Sequence, residues 1–401
     1  MALVTRYLSS SSPFAWIGYG ALIGYAATAP FSILVSQSFL VVGLLTLAAG
    51  APRVRCRFRT ARMGWFAAGT AGYAATSVLS AALSQSPAES LADCKSLLLL
   101  LLPFAAVAFL SDDRRWWGFI GTAALSTSIA ALYGVYQYWF LLGAAGVSTR
   151  AHGFFSVWTT YGQFMMLATV FAATVTLSAV LRARRICAGV VAVCAGAAMG
   201  LSFVRGAWVG TAAAGGVFLT LRRPKLLAFG PLVLLYVLIL APPSIFSRVM
   251  SIFSLRDESN RDRIDMIRSG ARMIRDHPFL GVGPNMVGRA YMLYRMPGSF
   301  PRINPHLHNN LVQIAAERGI IAFGFWCLML AAYLRQAWSG TSPLHRASFL
   351  SVVSFLVAGL FDFNFGDSEI VMPVLVMLGL PFALAHGDSS SSSDGTARAT
   401  I

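Results

Sequence analysis

Apolar runs long enough to cross a bilayer follow one another along almost the whole of this chain. A backbone inside hydrocarbon has to satisfy its own amides and carbonyls, so repeated runs of this length commit the chain to membrane-spanning helices. Stretches near 13–29, 31–50, 63–83, 95–110, 116–142, 155–181, 186–203, 207–221, 226–241, 306–334, 347–363 and 369–386 read as about twelve spans. With 57% hydrophobic and 11% charged residues, the chain cannot cover a soluble surface. The expected architecture is all-α and polytopic, a single transmembrane catalytic domain over 1–386. A serine-rich tail over 387–401 is expected to be disordered and cytoplasmic.

Arginine in the short connections sets the orientation. Arg53, Arg55, Arg57, Arg59 and Arg62 follow the second span, then come Arg114 and Arg115, Arg182, Arg184 and Arg185, Arg222, Arg223 and Lys225, and Arg335 and Arg346. These fall in alternate connections, which places that side and both termini in the cytoplasm. Most of the net charge of +16 is this topological signal. No basic domain stands apart from the spans, which excludes nucleic acid as a partner. Ala27-Thr28-Ala29 resembles a signal-peptidase site but is expected to stay within the first span. Cys56, Cys94, Cys187, Cys194 and Cys327 fall in or beside spans and read as packing residues, and no internal repeat suggests a transporter with duplicated halves.

One outer connection, 242–305, is far longer than the rest. It carries Arg248, Arg256, Arg261, Arg263, Arg268, Arg272, Arg275, Arg289, Arg295 and Arg302 against five carboxylates. Long loops escape the positive-inside rule, so topology permits these arginines without requiring them. Guanidinium forks match phosphate oxygens, and their excess points to a phosphorylated partner; contact with membrane lipid headgroups is the alternative. Within the loop, 261–276 reads as an amphipathic helix with Ile264, Ile267, Ala271 and Ile274 as its apolar stripe. Arg261, Arg268, Arg272 and Arg275 lie on a neighbouring stripe about 90° away, while Arg263 projects to the other flank, toward whatever the helix packs on. An arginine so placed needs an anion, either substrate or an internal carboxylate. Arg205 and Arg150 interrupt the outer ends of apolar stretches, where each either snorkels to headgroups or binds substrate.

His308, in Asn304-Pro305-His306-Leu307-His308-Asn309-Asn310, sits where the polar loop re-enters the membrane. An ionisable group at that boundary is a functional candidate. Asn304 suits an N-cap and Pro305 the first helical position, so a helix beginning there is expected to hold both histidines in its first turns. Its positive end favours a neutral ring, available as a base. On that helix His306 and His308 would face about 200° apart and could not share a metal, so no metal site is expected. Asp112-Asp113 reads as a solvated inner turn. Asp362 and Asp367 lie in the last outer turn, either to orient His308 or an arginine, or to cap a helix.

His308-Asn309, nine residues, then Gly319 is similar to the signature of the O-antigen ligase and polymerase superfamily, which includes protein O-oligosaccharyltransferases. Arg263 through Asp276-His277-Pro278-Phe279-Leu280-Gly281-Val282-Gly283-Pro284 resembles the loop segment of the same family, ending in a Pro-x-x-Gly-x-Gly turn. Ser202–Gly210 and Arg150–Phe155 match more weakly, and Ala322 and Ile267 depart from the usual pattern. The resemblance implies a GT-C-like, inverting glycosyltransferase of the bacterial inner membrane, with no cofactor and an active site facing the periplasm. Its donor would be a glycan on undecaprenyl diphosphate, and in the ligase branch its acceptor would be lipid A-core. The resemblance puts the family's histidine on His308 and its arginines on Arg205 and Arg263. Arg150, His306, Asn309, Asp362 and Asp367 are the expected substrate-binding residues, with His306 otherwise a satisfied polar residue.

Three functions fit. Ligase leads, because the one large outer loop and short tail leave little room for a domain that handles a protein acceptor. A polymerase would use the arginines equally well. A lipid-linked glycan flippase would need polar residues lining a path across the membrane, and the spans are almost uncharged between their ends.

Overall fold

The computed structural model describes residues 13–60, 62–110, 112–142, 150–230, 232, 243–254, 256–299 and 305–384. Among them the regular elements are all helical. The first half runs α1 (Pro13–Thr28), α2 (Ile33–Thr60), α3 (Gly64–Ala82), α4 (Pro87–Asp93) continuing through a 3-10 stretch into α5 (Leu102–Phe109), α6 (Asp113–Tyr136), α7 (Trp158–Ser178), α8 (Arg182–Leu201) and α9 (Arg205–Arg222). The long connection after α9 holds α10 (Pro243–Met250), α11 (Glu258–Asp276) and α12 (Val287–Tyr294). Then follow α13 (Asn310–Ser339), α14 (Pro343–Ala358) and α15 (Ser368–Leu384).

Six of these segments are long and apolar enough to cross a membrane: Ile33–Gly50, Pro87–Phe109, Asp113–Leu141, Trp158–Ser178, Arg182–Leu201 and Asn310–Ser339. Shorter apolar helices occupy Pro343–Ala358 and Ser368–Leu384. Of the expected stretch 226–241, only the start, within a 3-10 turn at Pro224–Phe229, falls mainly among the described residues. The tail 387–401 and Asn304 lie outside them. The basic segment after the second span is a helical continuation of α2 through Thr60 rather than a loop.

The main core joins α1, α2, α3, α5, α6, α7, α9, α13, α14 and α15, with Trp116, Trp326, Tyr25, Tyr333 and Phe355 fully enclosed. Lipid offers no hydrophobic drive between helices, so close van der Waals approach has to supply it. Small residues mark the crossings. A Cβ on Gly69 of α3 would lie 2.6 Å from the Met329 backbone of α13, and one on Gly210 of α9 2.6 Å from the Ser354 carbonyl of α14.

The decisive irregularity lies inside α13. Gly319 has φ +81° and ψ 169°, so the helix breaks there and resumes. The break frees backbone groups that would cost free energy if left unpaired. The segment 278–283 takes them up: Val282 N–H donates to Ala316 O (2.9 Å), Gly283 N–H to Glu317 O (2.9 Å), and Ile320 N–H to Pro278 O (2.8 Å). The fit demands bare backbone on both sides, since a Cβ on Gly281 (φ +69°) would lie 2.5 Å from the Glu317 carbonyl carbon. Ser80 and Ser90 hydroxyls hold the same segment from α3 and α4, through Leu280 O (2.5 Å) and Pro284 O (2.8 Å). The two glycine motifs of the sequence are therefore halves of one joint.

α11 packs by a different face from the one its aliphatic spacing suggests. Met266, Ser269, Gly270 and Met273 are its buried residues, set against Leu307 and Val312, while Ile267 and Ala271 face outward. A glycine lets the helix approach the start of α13 closely, and that contact outweighs the burial of the bulkier isoleucines.

Candidate functional site

α13 begins later than its sequence suggests. Asn309, not Asn304, is the N-cap, its side chain accepting from Val312 N–H (3.0 Å), so both histidines precede the helix. The loop is held by Leu307, which is fully buried beneath α11 and α12 and donates its N–H to Gln313 Oε1 (2.7 Å). His308 then takes φ +48°, a left-handed conformation that a histidine adopts only when its surroundings impose it. That turn overturns the expectation that the two histidines face apart. Their ring centroids are 4.3 Å from each other.

The turn after α14 closes over this loop. Asn310 N–H donates to Gly359 O (2.7 Å), Asn309 Nδ2 to Leu360 O (3.0 Å), and Asn310 Nδ2 to Asn364 Oδ1 (2.7 Å). These bonds bring Asp362 to His308, with Nδ1 to Oδ1 at 2.9 Å. The other carboxylate oxygen accepts from Gln163 Nε2 (2.8 Å), and Phe363 N–H also donates to Oδ1 (2.9 Å). Burial works against charge on Asp362, but the His308 hydrogen bond, the imidazole charges and the Phe363 amide hold its carboxyl below the usual range. An ionised Asp362 can only accept, so Nδ1 of His308 carries a proton, and in the neutral ring the lone pair is then on Nε2. His306 is pushed down by burial and then by His308, which keeps its ring neutral.

His306, His308 and Asp362 have donor atoms all within 4.8 Å of one another, a grouping that could hold a metal ion. The reason to exclude shared ligation, a helical spacing of two residues, does not apply to a loop with His308 turned. Asp367 does two other jobs: it accepts from Thr160 (2.6 Å) and from Glu369 N–H (3.0 Å) at the start of α15.

Arg263 leaves α11 on the side toward this turn. Its Nε donates to Phe361 O (2.9 Å) and Nη1 to Ser259 Oγ (2.8 Å), and no carboxylate pairs with it among the described residues. Arg205 differs. It is 8% exposed and bonded by Nη2 to Asp257 Oδ1 (3.1 Å) and by Nη1 to the Ser251 carbonyl (3.1 Å) and hydroxyl (3.0 Å). Asp257 also caps α11 through Asn260 N–H (3.2 Å), so Arg205 ties the start of α9 to the helix that carries Arg263. Arg150 lies with its guanidinium carbon 5.2 Å from the Trp158 ring.

The arginines also feel one another. Burial and then the Arg205 charge lower both Arg150 and Arg263, and burial followed by Arg150 and Arg205 pushes Arg248 down to about 10. Cations held together against their own repulsion and desolvation form a latent anion site. Arg248 is one arginine among ten in the long connection, and only its placement singles it out. Gln163 and the pair Glu317-Arg318 were also missed, although polar groups inside apolar spans are the signal that marks them.

Arg263, His306, His308, Asp362 and Asp367 line one cavity of about 640 Å³, which Tyr73, Asp93 and Arg318 also line. An imidazole, the carboxylate bonded to it and an arginine that has no ion pair among the described residues thus line one space. No curated protein matches the chain. Residues 190–327, which include Arg205, Arg263, His308 and the break in α13, match the family model described as O-antigen ligase, so this segment is similar to that family.

Proposed function

We propose that the protein is an O-antigen ligase, transferring a glycan from undecaprenyl diphosphate to lipid A-core at the periplasmic face of the bacterial inner membrane. The family match over 190–327 supports a glycosyltransferase-like activity in glycan biosynthesis; the ligase reaction is our reading of the site. About twelve spans in a GT-C-like arrangement, with cytoplasmic termini, would put the long arginine-bearing connection on the outer side.

His308 Nε2 takes the proton of the acceptor hydroxyl as that oxygen attacks the anomeric carbon. The bond from that carbon to the diphosphate oxygen breaks, its electron pair stays on the diphosphate, and attack from the opposite face inverts the centre. Asp362 keeps the imidazole in the useful tautomer and stabilises the cation it becomes. Arg263, with Arg150 and Arg248 behind it, meets the charge growing on the leaving diphosphate, which a metal would otherwise have to meet. Arg205 acts by seating α11 and adding its field. Asn309 and His306 position the loop and the acceptor side.

The observation that carries this reading is the His308–Asp362 pair opening on the same cavity as Arg263, which has no ion pair among the described residues. The test is transfer by purified protein in detergent with EDTA present, from undecaprenyl-diphosphate glycan to lipid A-core. Glycan on lipid A-core supports the ligase; lengthened undecaprenyl-linked glycan replaces it with a polymerase; loss of turnover in EDTA sinks the metal-free mechanism.

A further inference from the structure

The wall of the cavity facing away from the arginine cluster has a different chemistry. Arg318, at the break in α13, is 7% exposed. Its Nη2 donates to Asp93 Oδ2 (3.2 Å) and lies 3.8 Å from Glu317 Oε1, and its guanidinium carbon is 5.7 Å from the Tyr73 ring. Its Nη1 is enclosed and has no hydrogen-bond partner among the described residues. A charged donor left so costs free energy unless something else completes it.

Glu317 does not do so: its oxygens accept from Asn285 N–H (Oε1, 2.6 Å) and Gln313 Nε2 (Oε2, 2.7 Å), and neither bonds Nη1. Asp93 has one oxygen on Arg318 and none of its remaining capacity used by a described side chain, and it is 35% exposed. Ser96 lines the cavity beside it. One arginine here stands against two carboxylates, so the wall is not cationic and would repel a phosphate rather than bind it.

A ligand that suits it is neutral, carries donors and acceptors on adjacent carbons, and presents C–H faces to aromatic rings. We propose that Asp93, Arg318 and Ser96, with Tyr73, form a sugar-binding wall that holds one ring of the glycan substrates while the other side of the cavity holds diphosphate. The inference rests on the glycosyltransferase reading of the site, since both share the cavity. A sugar hydroxyl donating to the partly exposed Asp93 carboxylate would use the acceptor capacity this wall leaves unspent.

The experiment uses full-length protein in detergent and two lipid-free probes, the core oligosaccharide released from lipid A and the O-antigen glycan released from its carrier. Saturation-transfer NMR reads their binding to the parent, to Asp93→Asn and to Ser96→Trp, with thermal melts confirming that each variant is folded. Ser96→Trp fills the wall without changing charge. We expect one probe to bind roughly tenfold more weakly to both variants, and the probe affected says whether the wall holds acceptor or donor sugar. Binding of both probes unchanged in the variants, or absent from the parent, overturns the proposal. His308→Ala is run alongside: transfer lost with sugar binding intact separates the wall from the chemistry, and transfer retained would refute the base role while leaving the wall standing.

Discussion

Asp362 and Asp257 use one device to opposite ends. Each is a carboxylate on the outer connections whose burial is outweighed by a partner, His308 in one case and Arg205 in the other, so that each is held below the usual range. The partners differ in what they have left. Arg205 is 8% exposed and spends its donors on Asp257 and Ser251. His308 is 30% exposed and engages through Nδ1 alone, leaving Nε2 to the cavity. A pair that closes on itself fixes geometry, whereas a pair that leaves a lone pair unspent can do chemistry.

Substitutions on the His308 side should therefore cost rate, and those on the Arg205 side stability. His308→Ala removes the base and is expected to lower transfer by ~10³-fold or more, with melting temperature nearly unchanged. A comparable loss of melting temperature would make His308 a structural residue and dissolve the contrast. Asp362→Asn comes next, at ~10²–10³-fold, because an amide can donate to Nδ1 and turn the lone pair away from the acceptor. A kcat loss with KM unchanged is the signature, and a KM effect alone would reassign Asp362 to binding. Arg263→Ala is expected to cost ~10²-fold, with Arg263→Lys recovering only part, since a point charge replaces a fork.

Much of the helical framework was legible because apolar length is a strong signal, whereas the break at Gly319 lies inside 306–334, which reads as one span, and only the docking of 278–283 reveals it. The arrangement within the site was not. The cap expected at Asn304 falls at Asn309, because Leu307 docks under α11 and Asn310 N–H bonds Gly359 O. The direction of the His306 ring follows from a positive φ at His308, which spacing rules for regular helices cannot supply. On α11 the isoleucine spacing named the wrong face, because close approach at Gly270 mattered more than side-chain size. The partner of Arg205 was likewise hidden, since Asp257 lies 52 positions along the chain.

The smallest effects should fall on the Arg205 side and concern stability. Asp257→Asn removes a charged hydrogen-bond acceptor that also caps α11, and is expected to cost about 1–3 kcal/mol, read as a lower melting temperature in detergent. Transfer would fall only as far as α11 loosens its hold on Arg263. Acid sharpens the point. The folded carboxyls of Asp257 and Asp362 lie below their unfolded value, near ~3.9, so the stability they contribute is present above that pH and lost as pH falls through the folded values. Asp367, raised chiefly by burial, works in the opposite sense and offsets part of the slope. The comparison between variants is therefore cleaner than the slope of the parent alone. Below about pH 4 the melting temperature of Asp257→Asn should decline less steeply than that of the parent. Parallel curves would mean that the Arg205 pair contributes nothing through its charge, leaving the cap alone to account for the loss.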